Sequence, residues 1–226
     1  MFIENINIMN ADCCAALTGG AAYTTISNCH SSGQITNIFD NSCVGGLISI
    51  SAGANVSNCD STVTIHFAPI NEASANSYQG IGGLIGVQNT GTISNCNYTG
   101  NVEGDTGVGG LTGSSFGIIR DSSATANVTG HDNTGGLVGF SYTSSTSIEG
   151  CHASGTVTGT NNTGGLIGLN EGNVIKSHSE CDVTGDDYVG GFIGYNNFGI
   201  IDSESSATGS VTGNSNVGDF IGFDEP

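Results

Sequence analysis

Proline is nearly absent from this 226-residue chain, which holds only Pro69 and Pro226. Basic residues are as scarce. Arg120 and Lys176 stand against 20 acids, for a formal net charge of −18. Such a chain cannot neutralise a phosphate backbone, so nucleic acid is excluded as a partner. Anionic membranes are excluded on the same ground, and cations are the better-matched small partners. Tryptophan is missing, and no apolar run approaches the length of a membrane span. The opening "MFIENINIMN" has neither the basic segment nor the apolar core of a signal peptide. Either export is not encoded here, or these residues are a mature chain or an excised part of a longer protein. The common helix formers are thinly spread. In their place stand 38 glycines, abundant Ser, Thr and Asn, and short runs of Val, Ile and Thr. No Gly-x-y period exists, which excludes collagen. The composition predicts an all-β chain with many turns.

One motif recurs along the chain, as "IGGLIGV" (81–87), "TGGLVGF" (134–140), "TGGLIGL" (163–169) and "VGGFIGY" (189–195) among others. A phosphate-binding loop comes once per site, at a strand-to-helix turn; eight copies with no helical segment between them indicate a repeat architecture. The Leu or Phe anchors are Leu17, Leu47, Leu84, Leu111, Leu137, Leu166, Phe192 and Phe220, at intervals of 30, 37, 27, 26, 29, 26 and 28. A second apolar series lies about nine residues after the anchors: Ile26, Val56, Ile93, Ile119, Ile148, Ile175 and Ile201. A third lies nine before them, apart from Ile65, which stands 19 before Leu84: Ile8, Ile38, Ile65, Val102, Val128, Val157, Val183 and Val211. Each unit therefore reads as three short strands, of the types "GGLIG", "TISNC" and "GTVTG".

No regular hairpin dipeptide joins these strands. The chain is expected to wind into a parallel β-solenoid over residues 1–226, each strand pairing with its equivalent one coil later. About eight triangular coils of about 27 residues would stack to about 38 Å. The crossovers are expected to be right-handed. The longest unit holds its excess in "FAPINEASANS" (67–77), a loop thrown out from one corner with its proline outside the sheet. Glycines are expected to turn the corners with positive φ. Asn28, Asn58 and Asn95 should do the same at the second corner.

Two features bear on assembly. The "GGLIG" strand is apolar on both sides; one side is the coil interior, and the other either folds into a corner and is partly buried or packs laterally on another chain or domain. Ile85, Val87, Val138, Phe140, Ile167, Leu169, Ile193, Tyr195, Ile221 and Phe223 form this candidate assembly face. The ends carry no helical or long polar cap, and uncapped solenoid ends invite edge pairing. In a head-to-tail stack, Ile8 of one copy would follow Val211 of another, and Leu17 would follow Phe220.

The "VGGLIG" core, spaced by some 26 to 30 residues with "TISNC" and "GTVTG" between, resembles the GLUG-motif repeats over roughly residues 15–226. Departures are Ala15 and Ala16 for the glycine pair, Ser49 for the third glycine, and Asp219 near the end. The resemblance implies large secreted or surface-attached microbial proteins, some of them adhesin-like and some IgA-peptidase-like. Its repeats look like stalk or adhesive modules, and any peptidase sits in a different domain. No HExxH occurs here.

Cys29, Cys59, Cys96 and Cys151 share one coil position, with Ser122, His178 and Glu204 filling it elsewhere. Neighbouring coils bring Cα atoms within disulfide reach, so Cys29–Cys59 is a candidate bridge. Cys13 and Cys43 both sit four before an anchor and form a second candidate pair. No CxxC exists, so no zinc site is expected, and His30 and His152 lie four coils apart. Asp105, Asp132, Asp186 and Asp187 precede anchors and could hold Ca²⁺, but the regular calcium-binding roll motif is missing. Glu180, Asp182, Asp202 and Glu204, with His178 beside Glu204, are the residues a polysaccharide hydrolase or lyase would use. Lys176 beside Asp202 argues instead for a salt-bridge ladder. Thr129, Thr158, Thr184 and Thr212 form a ladder of the kind that binds carbohydrate or ice.

The expectation is a non-enzymatic extracellular or cell-surface module without cofactor or metal. It would assemble with copies of itself, or with further repeats of a parent chain, by stacking or lateral packing. Glycan binding through the threonine face is the alternative.

Overall fold

The computed structural model describes residues 1–9, 13–38, 43–67 and 80–225. The predicted inserted loop, 67–77, lies outside the described residues apart from Phe67 at its start. Among the described residues, no helix is long and apolar enough to cross a membrane. All strand pairs among the described residues are parallel, and they build three sheets of nine, eight and thirteen strands, here termed A, B and C. The chain is the expected parallel β-solenoid.

A central coil shows the path. Ser123–Thr129 lies in sheet A and Asp132–Gly135 in sheet B. The chain bends at Gly136–Leu137, then runs along sheet C as Val138–Ser141 and Ser147–Glu149. The next coil repeats this in register: Val128 lies on Val157, Thr134 on Thr163, Val138 on Ile167 and Ile148 on Val174. All eight anchors stack, because each anchor N–H from Leu17 to Phe192 donates to the carbonyl of the next. Eight rungs make seven full turns.

Two positions of the predicted series are corrected. Ile35, not Ile38, stacks between Ile8 and Ile65. The segment from Ile35 to Leu47 is three residues longer than the nine-residue spacing that six other rungs keep, which displaces a count made backwards from the anchor. Val174, not Ile175, stacks between Ile148 and Ile201. Val174 is buried, and Ile175, one residue on, points to the opposite side of the strand.

The corner glycines also work differently from expectation. None of the glycine pairs before the anchors has a positive φ. They are needed because chains approach too closely for a Cβ. On Gly164 it would lie 1.9 Å from the Ile167 carbonyl oxygen, and on Gly165 2.1 Å from that of Gly191, one rung on. The left-handed role falls to residues outside these pairs, Gly107 and Gly150 among them, with φ of 65° and 61°. Asn28, Asn58 and Asn95 adopt it as expected, with φ of 54°, 52° and 51°.

Stacked Leu, Ile and Val fill the interior. Two aromatic rings are fully buried among them, Phe192 at an anchor and Tyr98. Tyr98 lies at a place where neighbouring rungs carry Ser61 and Ala124, and its hydroxyl donates to one of the Val63 and Asn101 carbonyls, 3.0 and 2.9 Å away.

Candidate functional site

The predicted assembly face divides in two. Ile85, Val87, Val138, Ile167 and Ile193 are buried in the chain's own core. They are tucked behind the corner where sheet B turns into sheet C, so they offer no surface to another molecule. Phe140, Leu169, Tyr195 and Ile221 are half-buried, and Phe223 is 40% exposed. Aromatic neighbours cover this outer row: Tyr142 stacks on Phe140, and Tyr188 packs against Tyr195 and Phe223. The row is a partly closed seam rather than an open apolar face.

The open apolar surface lies elsewhere. The large apolar side chains exposed among the described residues are Met1, Phe2, Met9, Tyr23, Phe198, Ile200, Val217 and Phe223. The first four belong to the first rung. Phe198, Ile200, Val217 and Phe223 lie on or beside the strands that end sheets B and C, each paired on one side only. Among the described residues, the strands between these two sets expose none. Asp219 also belongs to the last rung. It occupies the place where a Cβ on Gly191 would meet the carbonyl of the following rung, at 2.2 Å.

The cysteines stack as read from the sequence for Cys29, Cys59 and Cys96, and Cys59 touches both neighbours. The hydrogen bond with Cys96 holds Cys59 down, and the same bond together with burial pushes Cys96 up. Cys43 lies against Cys13, and burial pushes its thiol up to about 12. Ser177 and Ser205, not His178 and Glu204, continue the Cys29 ladder: Ser177 Oγ accepts from the Cys151 N–H and Ser205 Oγ from the Ser177 N–H.

The acidic residues are engaged locally. Asp182 accepts from the Ser210 hydroxyl at 2.6 Å and the Ser210 N–H at 3.0 Å. Asp202 accepts from the Ser205 hydroxyl and the Lys176 N–H, while the Lys176 ammonium pairs with Glu204 at 3.6 Å. His178 lies beside Glu180 and His152 rather than Glu204. The predicted calcium acids do not converge. Asp105 meets His131, Asp132 accepts from Asn161, Asp186 from Asn214, and Asp187 from Ser215 and Asn216. Thr129, Thr158, Thr184 and Thr212 are in register and exposed on sheet A. The row beside them changes from Asn127 to Thr156 to Asp182, so the face is not a uniform threonine array.

Hydrogen bonds from serine hydroxyls hold the Asp182, Asp187 and Asp202 carboxyls below the ordinary carboxylate range, those of Ser210, Ser215 and Ser205 respectively being the largest cause. Depressed folded-state values mean stability that is present above the ordinary range and lost as pH falls through the lowered values. Asp182 and Asp187 both fasten the last rung to the one before it. Acid should therefore release the last rung first. Hydrogen exchange read at successive pH values should show residues 206–218 losing protection before the central rungs. In Asp182→Asn/Asp187→Asn that segment's pH dependence should shrink.

Among the described residues, the fold and these faces define a three-sided parallel β-solenoid whose long sides are polar or sealed and whose large exposed apolar side chains lie at its two ends. The chain carries the GLUG motif, whose family model matches residues 40–65 and 130–158. Comparison with curated protein sequences finds no match. Among solved structures, the chain is similar to a Bacteroides ovatus protein described as a candidate immunoglobulin A1 protease. The identity is 18% and the TM-score 0.54, over 98% of this chain and 84% of that one. At this identity the likeness shows the fold alone.

Proposed function

We propose that this chain is a non-catalytic structural segment, exported or displayed at a cell surface, whose ends couple to further β-coils. The observation that carries the reading is that, among the described residues, large exposed apolar side chains are confined to the first rung and to the last strands of the stack. Exposed apolar patches mark contact surfaces, and unpaired sheet edges add backbone hydrogen bonds to such a contact. Lateral packing is disfavoured because the former candidate face is buried or covered by its own aromatics. The GLUG motif, typical of secreted and surface proteins, supports the location. The occupant we favour for each end is a second copy of this chain.

Asp219 works against a ninth coil, since it brings a Cβ and a charge to a crowded corner. Ala16 holds the matching place in the first rung, where Leu17 still bonds to Leu47, so the obstacle is partial. Sedimentation velocity should find reversible, concentration-dependent oligomers. They should grow with ionic strength, because salt screens the repulsion between copies of charge −18. Ile200→Lys/Val217→Lys should abolish them, and Asp219→Gly should strengthen them. A chain that stays monomeric at all concentrations and salts, with or without Asp219, would overturn the proposal.

A further inference from the structure

The outer side of sheet A brings together three side chains that the sequence reading did not join. His152 opens the strand His152–Thr158, and His178 opens the strand His178–Thr184 directly beside it. The two are register partners, with ring centroids 5.6 Å apart and planes 22° from parallel. Glu180 follows His178 by two residues and so rises from the same side of the strand. Its two carboxylate oxygens meet the two imidazoles: Oε2 is 3.7 Å from His152 Nε2, and Oε1 is 3.4 Å from His178 Nε2. One ligand atom from each residue lies within 4.8 Å of the others, and among the described residues this is the one cluster of three or more metal-ligating side chains to do so.

We propose that His152, His178 and Glu180 form a binding site for a divalent transition-metal ion of the zinc type. Two imidazole nitrogens and one carboxylate oxygen make a ligand set that zinc uses with its fourth position open. The spacing fits. Two bonds of about 2.1 Å at the tetrahedral angle put their ligand atoms about 3.4 Å apart. The Glu180–His178 separation already has this value, and small side-chain rotations close the rest.

A further contact points the same way. His178 Nδ1 and the Ser206 hydroxyl of the next rung lie 2.7 Å apart. That bond fixes the ring and leaves Nε2 as the free ligand, which is the outer support that metal-binding histidines regularly have. The strands beneath are in unbroken register with Ala153, Val157 and Val183 buried below them. The site is therefore carried on a rigid sheet rather than a loop. The chain's net charge of −18 raises the local concentration of cations of any kind. Selectivity for a transition metal over Ca²⁺ or Mg²⁺ comes from the imidazoles. The fourth position faces solvent, where water or a donor from a partner molecule would complete the shell.

The test is a Co²⁺ titration of the untagged, reduced 226-residue chain, followed by visible absorption and by competition with Zn²⁺. We expect one equivalent to bind with the d–d bands of a four- or five-coordinate nitrogen–oxygen site, displaced by Zn²⁺. His178→Ala and Glu180→Gln should each remove the bands while circular dichroism stays unchanged. Ser206→Ala, which touches no metal, should weaken binding by about 10- to 100-fold. Failure to bind one equivalent would overturn the proposal. So would binding that survives His178→Ala, or a near-ultraviolet thiolate-to-metal band showing that cysteines hold the ion.

Discussion

Gly168→Ala should lower stability by about 3 kcal/mol, the upper end for overpacked interiors. For a chain of this size that corresponds to a melting temperature lower by roughly 6–12 °C. Gly168 is the third glycine of its motif and lies on the inner side of sheet C. A Cβ there would stand 2.5 Å from the backbone carbon of Asn133 and from the backbone nitrogen of Thr134, in the sheet B strand of the preceding rung. Neither atom can rotate aside. The same contact recurs at Gly139 against Gly107 and Val108, and at Gly194 against Asn162 and Thr163, so it belongs to the architecture. The control is Gly19, which holds the equivalent place in the first rung. A Cβ there meets nothing within 4 Å, and Gly19→Ala should leave the melting temperature unchanged or slightly raise it. Backbone conformation cannot explain such a contrast, because neither glycine has a positive φ. Equal effects at the two sites would show that close approach is not why these glycines are present.

Tyr98→Ala should cost about 3–5 kcal/mol, the range for deleting a large buried aromatic side chain. The backbone would accept alanine without strain, since Ala124 fills the same place one rung on. The loss is the cavity. Two adjacent glycines are shaped around the ring: a Cβ on Gly83 would lie 2.3 Å from it, and one on Gly100 2.7 Å from the hydroxyl. The surroundings are thus fitted to tyrosine and do not collapse readily. Tyr98→Phe keeps the ring but withdraws the only donor that the ring offers to the Val63 and Asn101 carbonyls. It should cost about 0.5–1.5 kcal/mol. Urea unfolding of both variants would check the order. A Phe variant as damaging as the Ala variant would mean that the hydroxyl, not the packing, governs the site.

How much of this was legible in the sequence depends on what sets each feature. The anchors were legible because their apolar identity repeats in every coil, and all eight stack. Ile38 and Ile175 were misassigned because register depends on segment lengths that composition does not reveal. Three additional residues before Leu47, and a choice between adjacent Val174 and Ile175, each moved a count. The second slip had a functional consequence. With Ile175 aligned, His178 falls beside Glu204; with Val174 aligned, Cys151–His152 sits under Ser177–His178 and the histidines meet. The signal was present in the 26-residue spacing of His152 and His178, which equals that of Ile148 and Val174. The glycines illustrate a different limit. Sequence shows where glycine stands, but a positive φ and a missing Cβ look the same until the neighbouring backbone is placed. The candidate face failed for a related reason. Alternation along a strand says which side chains share a side, and not that a sharp corner will bury half of them.

The most direct test of the account is electron microscopy of the purified chain at increasing concentration. End coupling predicts rods of constant width, lengthening in steps of about 38 Å, with a repeat of about 4.8 Å along the axis. Sheets or bundles that widen without lengthening would contradict it, as would single-subunit particles at every concentration.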